Sequence, residues 1–233
     1  MLIDIQLSSA HNDWPALRDA VRRAEADGYD TTWVFDHFDG AVLDGDRDVL
    51  ECFTLLGAMA EATTTIGIGP LVANVANRHP AVLAAAAATT HRISGGRLRL
   101  GIGAGAAPGT SWAREHDERG IALEADLEKR HAAVVRQIEA VRDVCDVQVI
   151  VGVNSVALAT IAGIHADGVN VRLTSAGAEA QLDAARRAAG DRPFETSGWA
   201  RVDDTESHPR AEHWGLDRLI LTSLDPLVMP PRS

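Results

Sequence analysis

Asp36 and His37 end the apolar run TTWVFDHF, residues 31–38. An imidazole with an unperturbed pKa near neutrality can donate or accept a proton at working pH, and a carboxylate nearby can orient the ring. Neighbours along a strand point to opposite faces, so Asp36 and His37 need not touch. The pair reads either as a strand surfacing at a reaction centre or as a strand end running into solvent. A second candidate, GIGAGAAPG, places glycine at 101, 103, 105 and 109, where bare backbone N–H groups can approach a phosphate or a ring. It fails as a dinucleotide fingerprint, because a helix should open within the motif and AAPGTSWAREHDERG intervenes. Its plainer reading is a flexible strand-to-helix loop. A third, GVNS at 152–155, joins a glycine to an asparagine that can cap a helix, and supplies either an anion site at the helix N-terminus or ordinary capping.

Other chemistries lack their residues. There is no HExxH or HxH for zinc, no GxSxG nucleophile elbow and no GxxxxGK phosphate loop, so no metal site is expected. HPRAEH at 208–213 reads as an exposed polar turn, and His91, His131 and His165 fall within helical patterns as packed or surface groups. Arg78, His79 and Pro80 read as the opening of a helix. Cys52 and Cys145 form no CxxC pair and have no evident activating neighbour, which points to a reducing compartment.

The elements that must position these groups alternate. Short β-type runs occur at 2–7, 31–35, 64–72, 97–103, 147–152, 169–172, 195–202 and 217–222. Between them lie helical periods: Leu17, Ala20, Val21 and Ala24 behind an Asp13 cap; Val49, Phe53, Leu56 and Ala60; and an alanine-rich segment from Pro80 to Ser94. Leu127, His131, Val134, Ile138 and Val141 continue the series, followed by helices capped by Asn154 and by Ser175. The segment DDTESHPRAEHWG is a weak seventh helix, and DPLVMPPRS offers no eighth. Strands alternating with helices imply parallel pairing, and eight units close into an α/β (βα)8 TIM barrel over a single domain, residues 1–233. Such a barrel gathers its strand C-terminal ends at one mouth. Asp36 and His37, Ala73 and Asn74, Ala104 to Gly109, and Val153 to Ser155 would meet there.

Composition agrees. With 46% hydrophobic and 4% aromatic residues, the interior must be filled by Ala, Val, Leu and Ile, as helix-covered parallel sheets are. A net charge of −11 excludes an electrostatic track for nucleic acid or an anionic membrane surface, leaving small molecules as partners. The opening MLIDIQL carries no charged, apolar leader, and no apolar run reaches the roughly 18 residues of a membrane span, so a cytoplasmic location is expected.

ADGYDTTWVFDHF, the block from ECFTLLGAMAEA through GRLRLGIGAGA, and VIVGVNSVALATIAGIHADGVNV together resemble the bacterial luciferase-like monooxygenase superfamily, and within it the branch dependent on the deazaflavin coenzyme F420. The resemblance implies hydride transfer between F420 and a small organic substrate, with FMN-dependent monooxygenation or a non-catalytic flavin-binding barrel as alternatives. Metal-dependent hydrolysis on the same fold ranks last. It further implies that His37 is catalytic and that Asp36, Ala73, Asn74, Ala104, Gly105, Gly152 and Val153 contact the cofactor. A non-proline cis peptide is expected within Gly69 to Val72, and a homodimer follows from the family's habits. The chain departs from the pattern at Ala106, where sugar-phosphate dehydrogenases of the family carry glutamate, and in a reduced insertion before strand five.

Overall fold

A computed structural model of the chain describes residues 1–45, 48–225 and 228–230. Nine strands form one parallel sheet in the order β3-β2-β1-β9-β8-β7-β6-β5-β4. They are β1 (Leu2–Leu7), β2 (Thr31–Val34), β3 (Gly67–Pro70), β4 (Ala73–Asn74), β5 (Arg99–Gly103), β6 (Gln148–Val153), β7 (Gly168–Arg172), β8 (Glu195–Arg201) and β9 (Arg218–Ser223). The third expected strand is the one that splits, into β3 and β4, across a cis peptide between Leu71 and Val72. A parallel bridge between Ile68 of β3 and Leu98, the residue before β5, brings β3 beside β5 as β4 is, so with β3 and β4 as one split strand the ring is that of an eight-stranded barrel.

The helices fall on the outside. Asp13 caps α1 (Trp14–Ala26) as expected, accepting from Ala16 N–H at 3.2 Å, and Leu17, Ala20, Val21 and Ala24 are its buried face. Then come α2 (Cys52–Ala62), α3 (Pro80–Ile93), the short α4 (Arg114–Asp117), α5 (Leu127–Arg142), α6 (Val156–His165), α7 (Ala178–Ala189) and α8 (Ser207–His213). Two expected caps are corrected. Ser155, not Asn154, caps α6, its hydroxyl accepting from Leu158 N–H at 3.2 Å. Ser175 lies in a turn ahead of α7, whose cap is Gly177. The polar HPRAEH is helix rather than turn, because Pro209 falls in the first turn of α8, where no N–H partner is required, and Ser207 and Ala211 are buried. After β9 no helix follows among the described residues; Met229 packs against the outer core and Pro230 O accepts from the Tyr29 hydroxyl. Pro226, Leu227 and residues 231–233 of DPLVMPPRS lie outside the described residues.

Aspartates standing one residue before a strand clasp its neighbour at the N-terminal end of the barrel. Asp30, Asp167 and Asp217 each accept through Oδ2 from a neighbouring strand's N–H, those of Ile3, Val149 and Thr196, at 2.9, 2.8 and 2.8 Å. Each also donates its own N–H back to that residue's carbonyl. Inside this end, Arg218 bridges Asp4 Oδ1 at 2.6 Å and Glu195 Oε1 at 3.2 Å, while the Trp33 indole N–H donates to Asp4 Oδ2 at 2.7 Å. Burial pushes the Asp4 carboxyl up to about 6 although Arg218 pulls the other way. Above this layer Trp33, Leu71, Ile150 and Ile220 form the inner apolar cluster, distinct from the larger belt between sheet and helices. No described helix is long and apolar enough to cross a membrane.

Glu25 of α1 ties the connection between α2 and β3 to the barrel. Its Oε1 accepts from the N–H groups of Thr64, Thr65 and Ile66 at 2.8, 2.6 and 3.1 Å. Desolvation opposes the charge, yet these donors hold the carboxyl at about 2, below its ordinary 4.5. A depressed folded pKa means that the contribution is present above about 4.5 and is lost as pH falls towards about 2. Because the group is largely solvated, Glu25→Gln should lower unfolding free energy by only about 1 kcal/mol at neutral pH. Urea titrations should show the gap between variant and native protein closing over that acid window; a gap constant with pH would refute the clasp.

Candidate active site

The apolar strand β2 carries the chain through the barrel wall and delivers Phe35, Asp36, His37 and Phe38 at its C-terminal end. Successive side chains diverge, as a strand requires. Asp36 turns towards the segment that opens α3 and is buried, with Oδ2 accepting from Asn74 N–H at 2.9 Å and from Arg78 Nη1 at 2.7 Å. Arg78 also bonds Glu51 and lies over the Phe53 ring at 4.9 Å, so it is a buried partner rather than a helix opener alone. Oδ2 of the carboxylate thus meets the protein's own backbone and cation, which fixes where Asn74 and Arg78 lie.

His37 turns the other way. Its Nδ1 lies 2.7 Å from Oε1 of Glu115, while Oε2 of the same carboxylate accepts from Phe38 N–H at 2.6 Å and Asp39 N–H at 3.2 Å. Trp112 stacks on the imidazole with ring centroids 5.9 Å apart. Glu115 is fully buried; burial alone would raise its carboxyl, but the His37 bond and charge and the Phe38 N–H outweigh it and hold it below the ordinary range. Since a carboxylate only accepts, Nδ1 carries the proton, and Nε2 is the atom left for other work. The His37 side chain keeps 22% of its surface exposed, enough to meet a small molecule.

Glu115 belongs to α4, in the long connection of residues 104–126 after β5, which also includes a 3₁₀ turn at Ser111–Ala113. Nothing local marks it. Its one signal in the sequence is that the connection is long for a strand-to-helix loop of a barrel. His116, Asn77 and Arg78 were equally unmarked as members of one network: His116 Nε2 lies 2.8 Å from Asn77 Oδ1, and Asn77 Nδ2 donates to Asp36 O at 3.1 Å.

The glycines of GIGAG serve packing. A Cβ at Gly101 would stand 2.4 Å from Pro70 O, one at Gly103 would stand 2.4 Å from Val72 Cγ2, and one at Gly105 would stand 2.5 Å from Asn74 Oδ1. Alternate positions of β5 and its extension thus receive residues 70, 72 and 74 of the split strand, and Gly105 also has φ +70°. Gly152 behaves alike, since a Cβ there would stand 2.7 Å from Val72 Cγ1. Its bareness seats Val72. Ala73 and Val153 are buried, and Asn74 and Ala104 are half-buried beside Gly105. At the same mouth, between the ends of β1, β8 and β9, a cleft of about 550 Å³ is lined by His11, Asn12, Arg201, Thr222 and Ser223. Among the described residues no group of three metal-ligating side chains is assembled.

A histidine held by a buried carboxylate at the open end of a (βα)8 barrel, beside a strand split around a cis peptide, is the arrangement of a luciferase-like barrel. Residues 2–144 match the luciferase-like monooxygenase family, and the chain belongs to it. Over 85 residues, 36% of this chain, it is 44% identical to the 5,10-methylenetetrahydromethanopterin reductase of Archaeoglobus fulgidus. The match spans 23% of that relative's length, about a quarter. Among solved structures, the coenzyme F420 dependent tetrahydromethanopterin reductase from Methanopyrus kandleri superposes with TM-score 0.69 at 17% identity, over 88% of this chain and 68% of its own. Apo-MsnO8 superposes with TM-score 0.72 at 14% identity, over 97% of this chain and 95% of its own. At these identities the structures establish the fold.

The glycine packing is open to a double-mutant test. Gly103→Ala should cost about 1–3 kcal/mol by overpacking Val72, and Val72→Ala in the same chain should recover at least about 1 kcal/mol of it. Gly101→Ala meets backbone instead, so no side-chain truncation should rescue it. Additive costs for the 72/103 pair in chemical denaturation would show that the contact is not the reason for the glycine.

Proposed function

We propose that the chain is an F420-dependent oxidoreductase that passes hydride between the deazaflavin and a small organic substrate, with His37 as the general acid/base. The observation that carries this reading is the His37–Glu115 contact at 2.7 Å, at the mouth of a barrel with a segment similar to 5,10-methylenetetrahydromethanopterin reductase. A deazaflavin with its phosphorylated tail suits the residues present. Val72 and Trp199 pack half-buried on the inner apolar cluster and offer a floor for a planar ring. The first-turn N–H groups of α6 lack helical partners and can take an anion. Ala73, Asn74, Ala104, Gly105 and Val153 would hold the group mainly through backbone, while Asp36 and Gly152 act indirectly by fixing Asn74 and Val72.

When bound, the coenzyme supplies the carbon that gives or accepts hydride. The protein's own part is proton management. His37 Nε2 gives a proton to, or takes one from, a substrate oxygen as the hydride moves, and Glu115 stabilises the imidazolium formed when His37 accepts. Trp112 restricts the ring to one plane. Both cysteines stand as free thiols, which supports a reducing, cytoplasmic compartment as part of the same reading. FMN-dependent monooxygenation is the second reading, favoured by the family match itself.

Titration with F420 should quench its fluorescence saturably, whereas FMN should bind more weakly. With a panel of small alcohols as hydride donors, His37→Ala should lower kcat by about 10²–10⁴-fold while leaving F420 binding intact. Glu115→Gln should lower it less, by about 10-fold or more. Tighter FMN binding with oxygen-dependent turnover would transfer the reading to monooxygenation, saturable binding without any turnover would leave a binding barrel, and full turnover by His37→Ala would remove the proton role.

A further inference from the structure

Behind His37 a second imidazole is buried with a polar atom left over. His116 is fully buried, and its Nδ1 has no hydrogen-bond partner. On the other side of the ring, Nε2 lies 2.8 Å from Asn77 Oδ1 and 3.3 Å from Asn74 Nδ2. Both amides are fixed by further bonds: Asn77 Nδ2 donates to Asp36 O at 3.1 Å, and Asn74 Oδ1 accepts from Ala76 N–H at 2.9 Å. Nε2 therefore faces one acceptor and one donor, and the shorter contact selects an N–H directed at Asn77.

What Nδ1 faces is Glu115. Its Oε1 is 3.9 Å away, and this is the oxygen that accepts from His37 Nδ1 at 2.7 Å. The charged groups packed around the carboxylate are Arg119, which donates to Glu115 O and Phe38 O, and Arg114, which is paired with Asp39. Asp36 and Arg78 stand behind Asn74, already bonded to each other. The arginines stay charged throughout the accessible pH range, so the groups around Glu115 that change charge near neutrality are the two imidazoles.

We propose that His116 is a positioning residue that shares the Glu115 carboxylate with His37 through their two Nδ1 atoms, so that protonating one ring loosens the carboxylate's hold on the other. This rests on the reading of His37 as the proton carrier. One buried carboxylate stabilises one imidazolium well; a second proton meets a carboxylate already neutralised and a like charge across it, in surroundings of low dielectric. The rings then titrate as a pair, in two macroscopic steps that belong to both. An imidazolium at either ring takes up the carboxylate's charge and leaves less of it for the other.

Side-chain ¹⁵N NMR on the full chain without cofactor tests this from about pH 5 to about pH 9. In the native protein the His37 ring shifts should pass through two inflections about one pH unit or more apart. His116→Asn should remove one of them and leave a single-proton curve, and Glu115→Gln should uncouple the two rings. An identical His37 curve in the native protein and His116→Asn would overturn the proposal. So would a His116 Nδ1 that stays unprotonated across the whole range in the native protein, a measurement that depends on no variant folding. Neither readout needs cofactor or turnover, so the coupling can fail while the hydride-transfer reading stands, and the reverse.

Discussion

A buried carboxylate must be given donors, and Glu115 takes its donors from the residues immediately beyond β2. Moving an ion of this kind out of water costs several kcal/mol after relaxation, and that is offset only when the lone pairs are met. His37 Nδ1, Phe38 N and Asp39 N meet them. Two connections, the segment after β2 and the one after β5 that carries α4, are thereby pinned to each other, and Arg119 adds a second tie by donating to Phe38 O at 2.6 Å. The same bonds decide the tautomer of His37. Stability of the loop pair and chemistry of the ring are one constraint seen from two sides.

The neighbouring position obeys a different demand. Asp36 holds the last residue of β4 through Asn74 N–H and is neutralised by Arg78, whose guanidinium is itself covered by Phe53. Removing one partner of such a pair strands the other charge, at a cost of about 3–5 kcal/mol. Asp36 therefore fixes where β4 lies, and the alternating glycines of β5 allow it to lie that close. A strand end carrying Asp then His uses the pleat to send the acid to Arg78 and Asn74 on one side and the imidazole to Glu115 on the other.

Much of this was legible in the sequence and some was not. Strand positions and the α1 stripe are local patterns of period 2 and 3.6, and β1, β2 and β5 to β9 lie where those patterns put them. His37 was legible because a titratable group at the end of an apolar strand of a barrel must face the mouth. The glycine run was legible as close approach, but not what approaches: Pro70, Val72 and Asn74 come from another strand, and no local rule names them. Glu115 was illegible for the same reason. It stands 78 residues from His37 in a stretch without periodicity, and only the closed ring brings the ends of β2 and β5 within reach of one side chain. Ala106 looked like a missing acid, whereas the carboxylate that touches the imidazole arrives from farther along the connection.

The two ends of the barrel divide their labour through different uses of carboxylates. At the N-terminal end Asp30, Asp167 and Asp217 close strand-to-strand gaps, and the inner layer of Asp4, Glu195, Arg99 and Arg218 compensates its charges within itself. No proton-exchanging group need face solvent there. At the other end Glu115 is matched by two imidazoles, groups whose charge changes near neutrality, instead of by a permanent guanidinium. A carboxylate paired with arginine is a fixed strut, while one paired with histidine is a support whose grip depends on where the protons are. In the frame the cations keep their charge and burial alone lifts a carboxyl, as at Asp4, pushed up to about 6, whereas at the mouth the carboxylate's side-chain partner is an imidazole.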